Sequence, residues 1–221
     1  MSFFDIPLFK ESLITFIIFL LLREICAYKK ITALKYILSP LVTISIIPFV
    51  LIAITEFSLT SYTTLILFSL IIAAVADTFM VIDDINLIKY GVVFFMLGHC
   101  CYIAAFIHNY VFSLWHLLLA TGLLTFIILL FMKIRSKTGG LDIPVFFYIF
   151  IICVMVYFAI GGLSKSINIS TILAAAGAVV FMTSDFVIAI NEFIKKIPNS
   201  TVITWALYAP GQLLIALSCF I

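Results

Sequence analysis

Two carboxylates sit where a carboxylate is expensive. Asp77 lies in Ala76-Asp77-Thr78-Phe79-Met80-Val81-Ile82, inside the last turns of an apolar run that begins at Ser61. Asp185 lies in Ser184-Asp185-Phe186-Val187-Ile188-Ala189-Ile190, near the end of another such run. Aligning the two also pairs Ile82 with Ile190, Asp83 with Asn191 and Asp84 with Glu192. A carboxylate within an apolar span costs roughly 2.5–3.5 kcal/mol on insertion scales, so it marks a function by default. What a carboxyl does in low dielectric is hold, give or take a proton, or balance a cation. About one more turn of apolar residues follows each aspartate. Asp83, Asp84 and Glu192 fall beyond that turn and read as headgroup-level carboxylates.

Other polar residues accompany the pair. The stretch Gly91-Val92-Val93-Phe94-Phe95-Met96-Leu97-Gly98-His99-Cys100-Cys101-Tyr102 places Gly91, Gly98 and Tyr102 near one helical face, with His99 near mid-helix. Gly98 is expected to admit a neighbouring helix closely. Tyr208-Ala209-Pro210-Gly211-Gln212 puts Tyr208 and Gln212 four apart on a shared face. Pro210 frees a backbone carbonyl there. Nothing resembles a nucleophile elbow, a phosphate loop or a zinc motif. Cys26, Cys100, Cys101, Cys153 and Cys219 contain no CxxC pair and read as small apolar side chains.

The elements that hold these residues are membrane helices. The chain has 221 residues, is 66% hydrophobic and only 10% charged, with a mean hydropathy of +1.37. A soluble domain is about 25% charged, so this composition excludes one. The net charge of +2 gives no reason to expect nucleic acid. A hydrocarbon core needs about 20 apolar residues per helix. Eight runs qualify: Ser12–Ala27, Ile31–Ile54, Ser61–Ile82, Ile88–Ile107, Val111–Met132, Ile143–Leu163, Ile169–Ile190 and Thr201–Ile221. They are continuous rather than alternating, which favours helices over barrel strands. The expectation is an all-α membrane protein: one polytopic domain over residues 1–221, a bundle of eight transmembrane helices. Arg23 and Glu24 are expected to snorkel at the end of the first helix. The first run lacks a basic leader and a small-residue cleavage site, so it reads as a retained helix.

Short loops make sequential helices antiparallel neighbours. The loops after helices one, three, five and seven, with their flanks, hold Arg23, Lys29, Lys30, Lys35, Lys89, Lys133, Arg135, Lys137, Lys195 and Lys196. Only Lys10 and Lys165 fall on the other side. The positive-inside rule then puts both termini outside and both aspartates near the cytoplasmic leaflet. Asp185 follows Asp77 by 108 residues (185 − 77), close to half the chain. A 4 + 4 parallel internal repeat is the simplest interpretation. The compact chain fits a bacterial inner membrane, with an endoplasmic-reticulum membrane as the alternative. On these residues alone two classes stand: an intramembrane hydrolase, or a proton- or ion-coupled transporter or lipid-binding membrane protein using the same carboxylates.

The residues also carry a resemblance. The run Asp77…Gly91…Phe94-Phe95-Met96-Leu97-Gly98-His99-Cys100-Cys101-Tyr102-Ile103 resembles the YhhN family of membrane proteins. So do Gly177-Ala178-Val179-Val180-Phe181-Met182-Thr183-Ser184-Asp185, then Asn191, then Tyr208…Gln212-Leu213-Leu214-Ile215. Ser39-Pro40-Leu41 stands where the family often has Lys-Pro-Leu, so no role for that lysine carries over. The resemblance implies a lysoplasmalogenase, which hydrolyses the vinyl ether of lysoplasmenyl-ethanolamine or -choline to a fatty aldehyde and a glycerophospho-base. It implies a lysophospholipid substrate among membrane lipids, no cofactor and no metal, and leaves room for a homo-oligomer. Asp77, Asp185 and His99 would be catalytic; Tyr102, Tyr208, Gln212, Asn191 and Tyr157 would bind substrate.

That chemistry suits carboxyls. A vinyl ether opens when an acid protonates its β-carbon, leaving an oxocarbenium ion to which water adds. One protonated carboxyl and one ionised group are needed, the division of labour of glycosidases. Two carboxyls close together in low dielectric cannot both ionise readily. The expectations are therefore that Asp77 and Asp185 face one another and that a narrow, deep pocket opens toward the cytoplasmic leaflet. Lys89, Arg135, Lys195 and Lys196 are candidates near the phosphate.

Overall fold

The computed structural model describes residues 3–82, 88–140 and 142–220. Asp83, Asp84 and Ile221 lie outside the described residues, as does the side chain of Lys89. Among the described residues every regular element is helical: α1 (Phe9–Tyr28), α2 (Thr32–Ile44), α3 (Ile47–Glu56), α4 (Ser61–Val81), α5 (Ile88–Ile107), α6 (Trp115–Ile134), α7 (Asp142–Gly161), α8 (Ile169–Phe193) and α9 (Ser200–Leu217), with short 3-10 turns between some of them. Seven stretches are long and apolar enough to cross a membrane, α2 and α3 counting together as Thr32–Glu56. α1 is of similar length but is not one of them, because it carries Lys10, Glu11, Arg23 and Glu24.

The second expected helix is broken. Pro40 inside α2 cannot donate to the preceding turn, and Pro48 sits in the first turn of α3. Proline is at home at a helix start and not in its interior. The chain tightens at the join, with Ile46 N donating to Thr43 O at 3.1 Å and Ser45 Oγ to Val42 O at 2.6 Å. The break leaves Thr43 in the last turn of α2, buried and facing the core.

α4 and α8 begin alike. Thr60 caps α4 and Asn168 caps α8, each in a reciprocal box with the threonine three residues on, Thr63 and Thr171. Such boxes satisfy helix donors that have no intrahelical partner. Each aspartate lies 17 residues past its cap (77 − 60 and 185 − 168), or about 25 Å along its helix at 1.5 Å per residue. The two carboxyls are thus carried equally far down two helices.

The most extensive packing is α4 on α5 and α8 on α9. Ser69 Oγ on α4 donates to Gly98 O on α5 at 2.6 Å. A Cβ on Gly98 would stand 3.5 Å from Ser69 O, an ordinary contact. The tighter crossing is Gly177 on α8, where a Cβ would stand 2.7 Å from Gly211 O on α9. Only glycine allows that approach. Around these pairs α2 packs on α4, α5 on α7, α1 on α2 and α9, and α6 chiefly on α7. Leu118, Leu129, Met132 and Ile143 stand exposed on outer faces, as side chains turned toward lipid do.

Candidate active site

Asp77 is 2% exposed and faces donors. Its Oδ2 accepts from Thr43 Oγ1 of α2 at 2.5 Å and from the Tyr208 hydroxyl of α9 at 3.0 Å. Tyr208 in turn accepts from Gln212 Nε2, one helical turn on, at 2.8 Å. The direction of this relay is fixed: Gln212 gives to Tyr208, and Tyr208 gives to Asp77. Hydrogen bonds to a charged acceptor are the strong ones, and they favour the ionised form.

Asp185 is held differently. The Tyr148 hydroxyl of α7 donates to its Oδ2 over a longer 3.3 Å, and Nε2 of His99 stands 4.0 Å from the same oxygen. Nδ1 of His99 donates to Phe95 O at 2.6 Å. A neutral imidazole then presents Nε2 as an acceptor. It faces a carboxyl oxygen too distant for a direct hydrogen bond.

One aromatic residue joins the two halves. The Phe181 ring lies 5.0 Å from that of Tyr208 and 4.9 Å from that of His99, and Phe181 is one turn from Asp185 on α8. These ring contacts bridge the groups that hold the two carboxyls. Three buried polar atoms around them have no hydrogen-bond partner: His99 Nε2, Tyr102 OH and Gln212 Oε1. Native interiors rarely leave such atoms unmet, so each one needs an explanation. Together they offer one lone pair, one hydroxyl and one carbonyl to a small polar guest.

A cation closes the group. Arg23 of α1 is fully buried, which overturns the expectation that it snorkels. Its Nε donates to Ser39 Oγ at 3.5 Å, and one terminal nitrogen donates to Thr201 O at 3.2 Å and Glu24 Oε1 at 3.0 Å. The guanidinium carbon lies 4.3 Å from the centre of the Trp205 ring. A stem long enough to reach headgroups is folded inward because α2 and α9 supply acceptors and an aromatic face there. Among the described residues no group of three or more His, Cys, Asp or Glu side chains is gathered as a metal would need.

A sequence profile of the YhhN family matches residues 34–219. The chain belongs to the YhhN family. It is 30% identical over 161 residues to "Lysoplasmalogenase TMEM86A" of Bos taurus and 29% identical over 164 residues to the protein of that name from Homo sapiens. Each match takes in 70% of this chain and 65% of the relative's length. No solved structure matches the chain.

Of the residues singled out by the YhhN resemblance, Asp77, Asp185, His99, Tyr102, Tyr208 and Gln212 converge on one space. Two others do not join them. Asn191 Oδ1 accepts from Ile197 N at 2.9 Å and its Nδ2 donates to Glu192 at 2.7 Å, so it ties the α8–α9 turn. Tyr157 bonds Tyr110 across 2.7 Å. It lies nine residues beyond Tyr148 on α7, about 13 Å farther along the helix. Two cavities also lie elsewhere: about 570 Å³ lined by Val111, Phe112, Ser113, Trp115, Leu163, Ser164 and Ile167, and about 400 Å³ lined by Phe131, Arg135, Ser136 and Asp142. The narrow pocket expected at the carboxyls is neither of these. Lys196 pairs with Glu192 at 3.4 Å on the surface.

Sequence reasoning missed Thr43, Tyr148 and Arg23. A threonine in an apolar helix usually satisfies itself on the preceding turn, so Thr43 gave no signal. Arg23 did give one. A charge inside an apolar run is the signal that marked Asp77.

Proposed function

We propose that this protein hydrolyses the vinyl ether bond of lysoplasmenyl-ethanolamine or -choline, releasing a fatty aldehyde and the glycerophospho-base. The observation that carries the reading is the convergence of a buried carboxyl, Asp77, and a largely buried one, Asp185, with three unpartnered polar atoms: a proton donor, an anion and a place for water. One carboxyl gives its proton to the β-carbon. The double bond's electrons form the new C–H bond and leave an oxocarbenium ion on the carbon bound to oxygen. The other carboxylate stabilises that cation, as in glycosidases. Water adds to the carbon and loses a proton to the depleted acid or to His99. The hemiacetal hydroxyl then gives up its proton as its oxygen forms the aldehyde carbonyl, the C–O bond to glycerol breaks, and the departing glycerol oxygen takes a proton. Water is consumed and the acid is restored, so no oxidant or group carrier is needed. Tyr102 and Gln212 orient the water or the ether oxygen, and Asn191 and Tyr157 drop out of the substrate set.

The names of the two relatives support the substrate. The architecture completes the proposal as one domain over residues 1–221, with α1 as an eighth span and the capped α4–α5 and α8–α9 pairs as equivalent halves of a 4 + 4 repeat. The bias of basic residues supports termini outside and a site toward the cytoplasmic leaflet, and the compact chain fits a bacterial inner membrane, with an endoplasmic-reticulum membrane as the alternative. Purified protein incubated with lysoplasmenyl-ethanolamine and a chelator is expected to yield aldehyde and glycerophosphoethanolamine in equal amounts. Absence of aldehyde from both the ethanolamine and the choline lipid would sink the reading, and is the result a transporter gives.

A further inference from the structure

The two carboxyls are not equivalent, and Arg23 is on one side of them. Every group that hydrogen-bonds Asp77 gives it a proton: Thr43 from α2 and Tyr208 from α9, the latter fed by Gln212. Arg23 of α1 reaches the two groups that hold Asp77: it bonds Ser39, one turn before Thr43 on α2, and lies over Trp205, whose ring stands 5.0 Å from that of Tyr208. Its guanidinium is boxed by Ser39, the Thr201 carbonyl, Glu24 and the face of Trp205. A buried cation is costly unless matched, and removing its partner leaves an uncompensated charge. Glu24 matches it from the rim, with its side chain 17% exposed. Asp185 faces a distant donor, Tyr148, the neighbouring Ser184 hydroxyl, which also donates to Phe181 O, and one acceptor, Nε2 of His99. At 4.0 Å the two do not bond directly; a water between them would accept from a protonated Asp185 and donate to Nε2.

Resting on the hydrolase reading, we propose that Arg23 is a positioning residue that holds Asp77 as the standing carboxylate, and that the Asp185–His99 pair carries the proton delivered to the vinyl ether. Asp77 then stabilises the oxocarbenium ion. Asp185 gives its proton to the β-carbon and recovers one from the attacking water through His99. Arg23 never touches substrate. Its guanidinium is covered by Trp205 and α2, which is the wrong place for a phosphate ligand.

Two experiments test this, and the first needs no turnover. Infrared spectra of the purified protein report the carbonyl stretch of a protonated carboxylic acid. That band is expected to vanish in Asp185→Asn and to survive in Asp77→Asn. In Arg23→Gln a second such band should appear, and in Arg23→Lys it should not. Loss of the band in Asp77→Asn with survival in Asp185→Asn would reverse the assignment. An unchanged spectrum in a folded Arg23→Gln protein would remove Arg23 from it. Because these spectra involve no substrate, their failure is distinct from failure of the hydrolase reading.

The second is the pH–rate profile with lysoplasmenyl-ethanolamine. The titratable and charged groups that act on Asp77 are Arg23 on α1, Tyr102 on α5, Tyr148 on α7, Asp185 on α8 and Tyr208 on α9. Those around Asp185 are His99, Tyr148 and Asp77. The acid limb in Arg23→Gln should move to higher pH, kcat should fall about tenfold, and KM should hold; Arg23→Lys should restore most of the rate. A rise in KM alone would make Arg23 a substrate ligand and overturn the proposal.

Discussion

Two polar clusters occupy opposite ends of this bundle, and they use the same residue types. At one end His99 and Tyr102 stand with Asp77, Asp185, Tyr208 and Gln212. At the other, His116 stands with Tyr110, Tyr157, Ser164 and Trp115. The second cluster is closed. His116 Nδ1 accepts from Ser113 N at 2.9 Å, and Nε2 lies 3.0 Å from Ser164 Oγ. With Nδ1 accepting, Nε2 must donate. The proton therefore runs from His116 to Ser164, opposite to what a serine nucleophile requires. Trp115 Nε1 donates to the same Oγ at 2.8 Å, and Tyr110 and Tyr157 satisfy one another. The first cluster has His99 Nε2, Tyr102 OH and Gln212 Oε1 unmet. The difference is satisfaction, not composition. A polar group that completes its hydrogen bonds internally tightens the scaffold; one left with unmet lone pairs and protons is arranged for something that arrives.

Substitutions can break this contrast at its strongest point first. Asp77→Asn and Asp185→Asn keep shape and remove the charge or the proton. Each is expected to lower turnover by at least about 10²-fold, the usual scale for acid–base groups. Aldehyde release by variants of normal thermal stability measures it. Normal turnover in either would leave the first cluster no more functional than the second. Next comes Tyr208→Phe, which cuts the relay from Gln212 and takes a donor from Asp77. A hydrogen bond to a charged group is worth about 1.5–3 kcal/mol, so a loss of roughly tenfold or more in kcat/KM is expected.

His116→Ala should do the reverse. The side chain is fully buried and both its nitrogens are engaged. Losing them removes the bonds to Ser113 N and Ser164 Oγ, both half-buried, at about 0.5–1.5 kcal/mol each. Thermal unfolding in detergent should move down while turnover per folded molecule stays near wild type. A loss of turnover without a loss of stability would make the far cluster part of the site.

Much of this was legible in the chain. The helical runs could be read because lipid demands continuous apolar stretches, and α5 matched its run to the residue, Ile88–Ile107. Asp77 and Asp185 could be read because charge in such a run has no cheap explanation. The break between α2 and α3 was written in Pro40 and Pro48 but hidden by uninterrupted hydropathy. Arg23 was misjudged because a long flexible stem near a helix end can reach water, and only the acceptors on α2 and α9 show that it turns inward. Tyr157 failed for a different reason: tyrosines serve equally as interface anchors, packing and ligands, and nothing in spacing alone separates them.

The finest version of the comparison lies on one helix. α7 carries Tyr148 to the first cluster and Tyr157 to the second. Both are phenols with one bonded hydroxyl, so Phe in place of either removes a single oxygen and nothing else. Tyr148 donates to Asp185 over 3.3 Å, a long bond that contributes less than the short one from Tyr208 to Asp77. Its loss is expected to change turnover by only about threefold, equivalent to some 0.6 kcal/mol, in the lower part of the range for a single hydrogen bond. It should also change which variant of Asp185 is worst, because the acid has lost its one tyrosine donor. Tyr157→Phe deprives Tyr110 of its partner at the far end and should leave turnover untouched. Measured side by side in one preparation, the two hydroxyls separate position from residue type. Equal effects would mean that α7 transmits a general packing change, and that unmet polar atoms had been the wrong guide to the site.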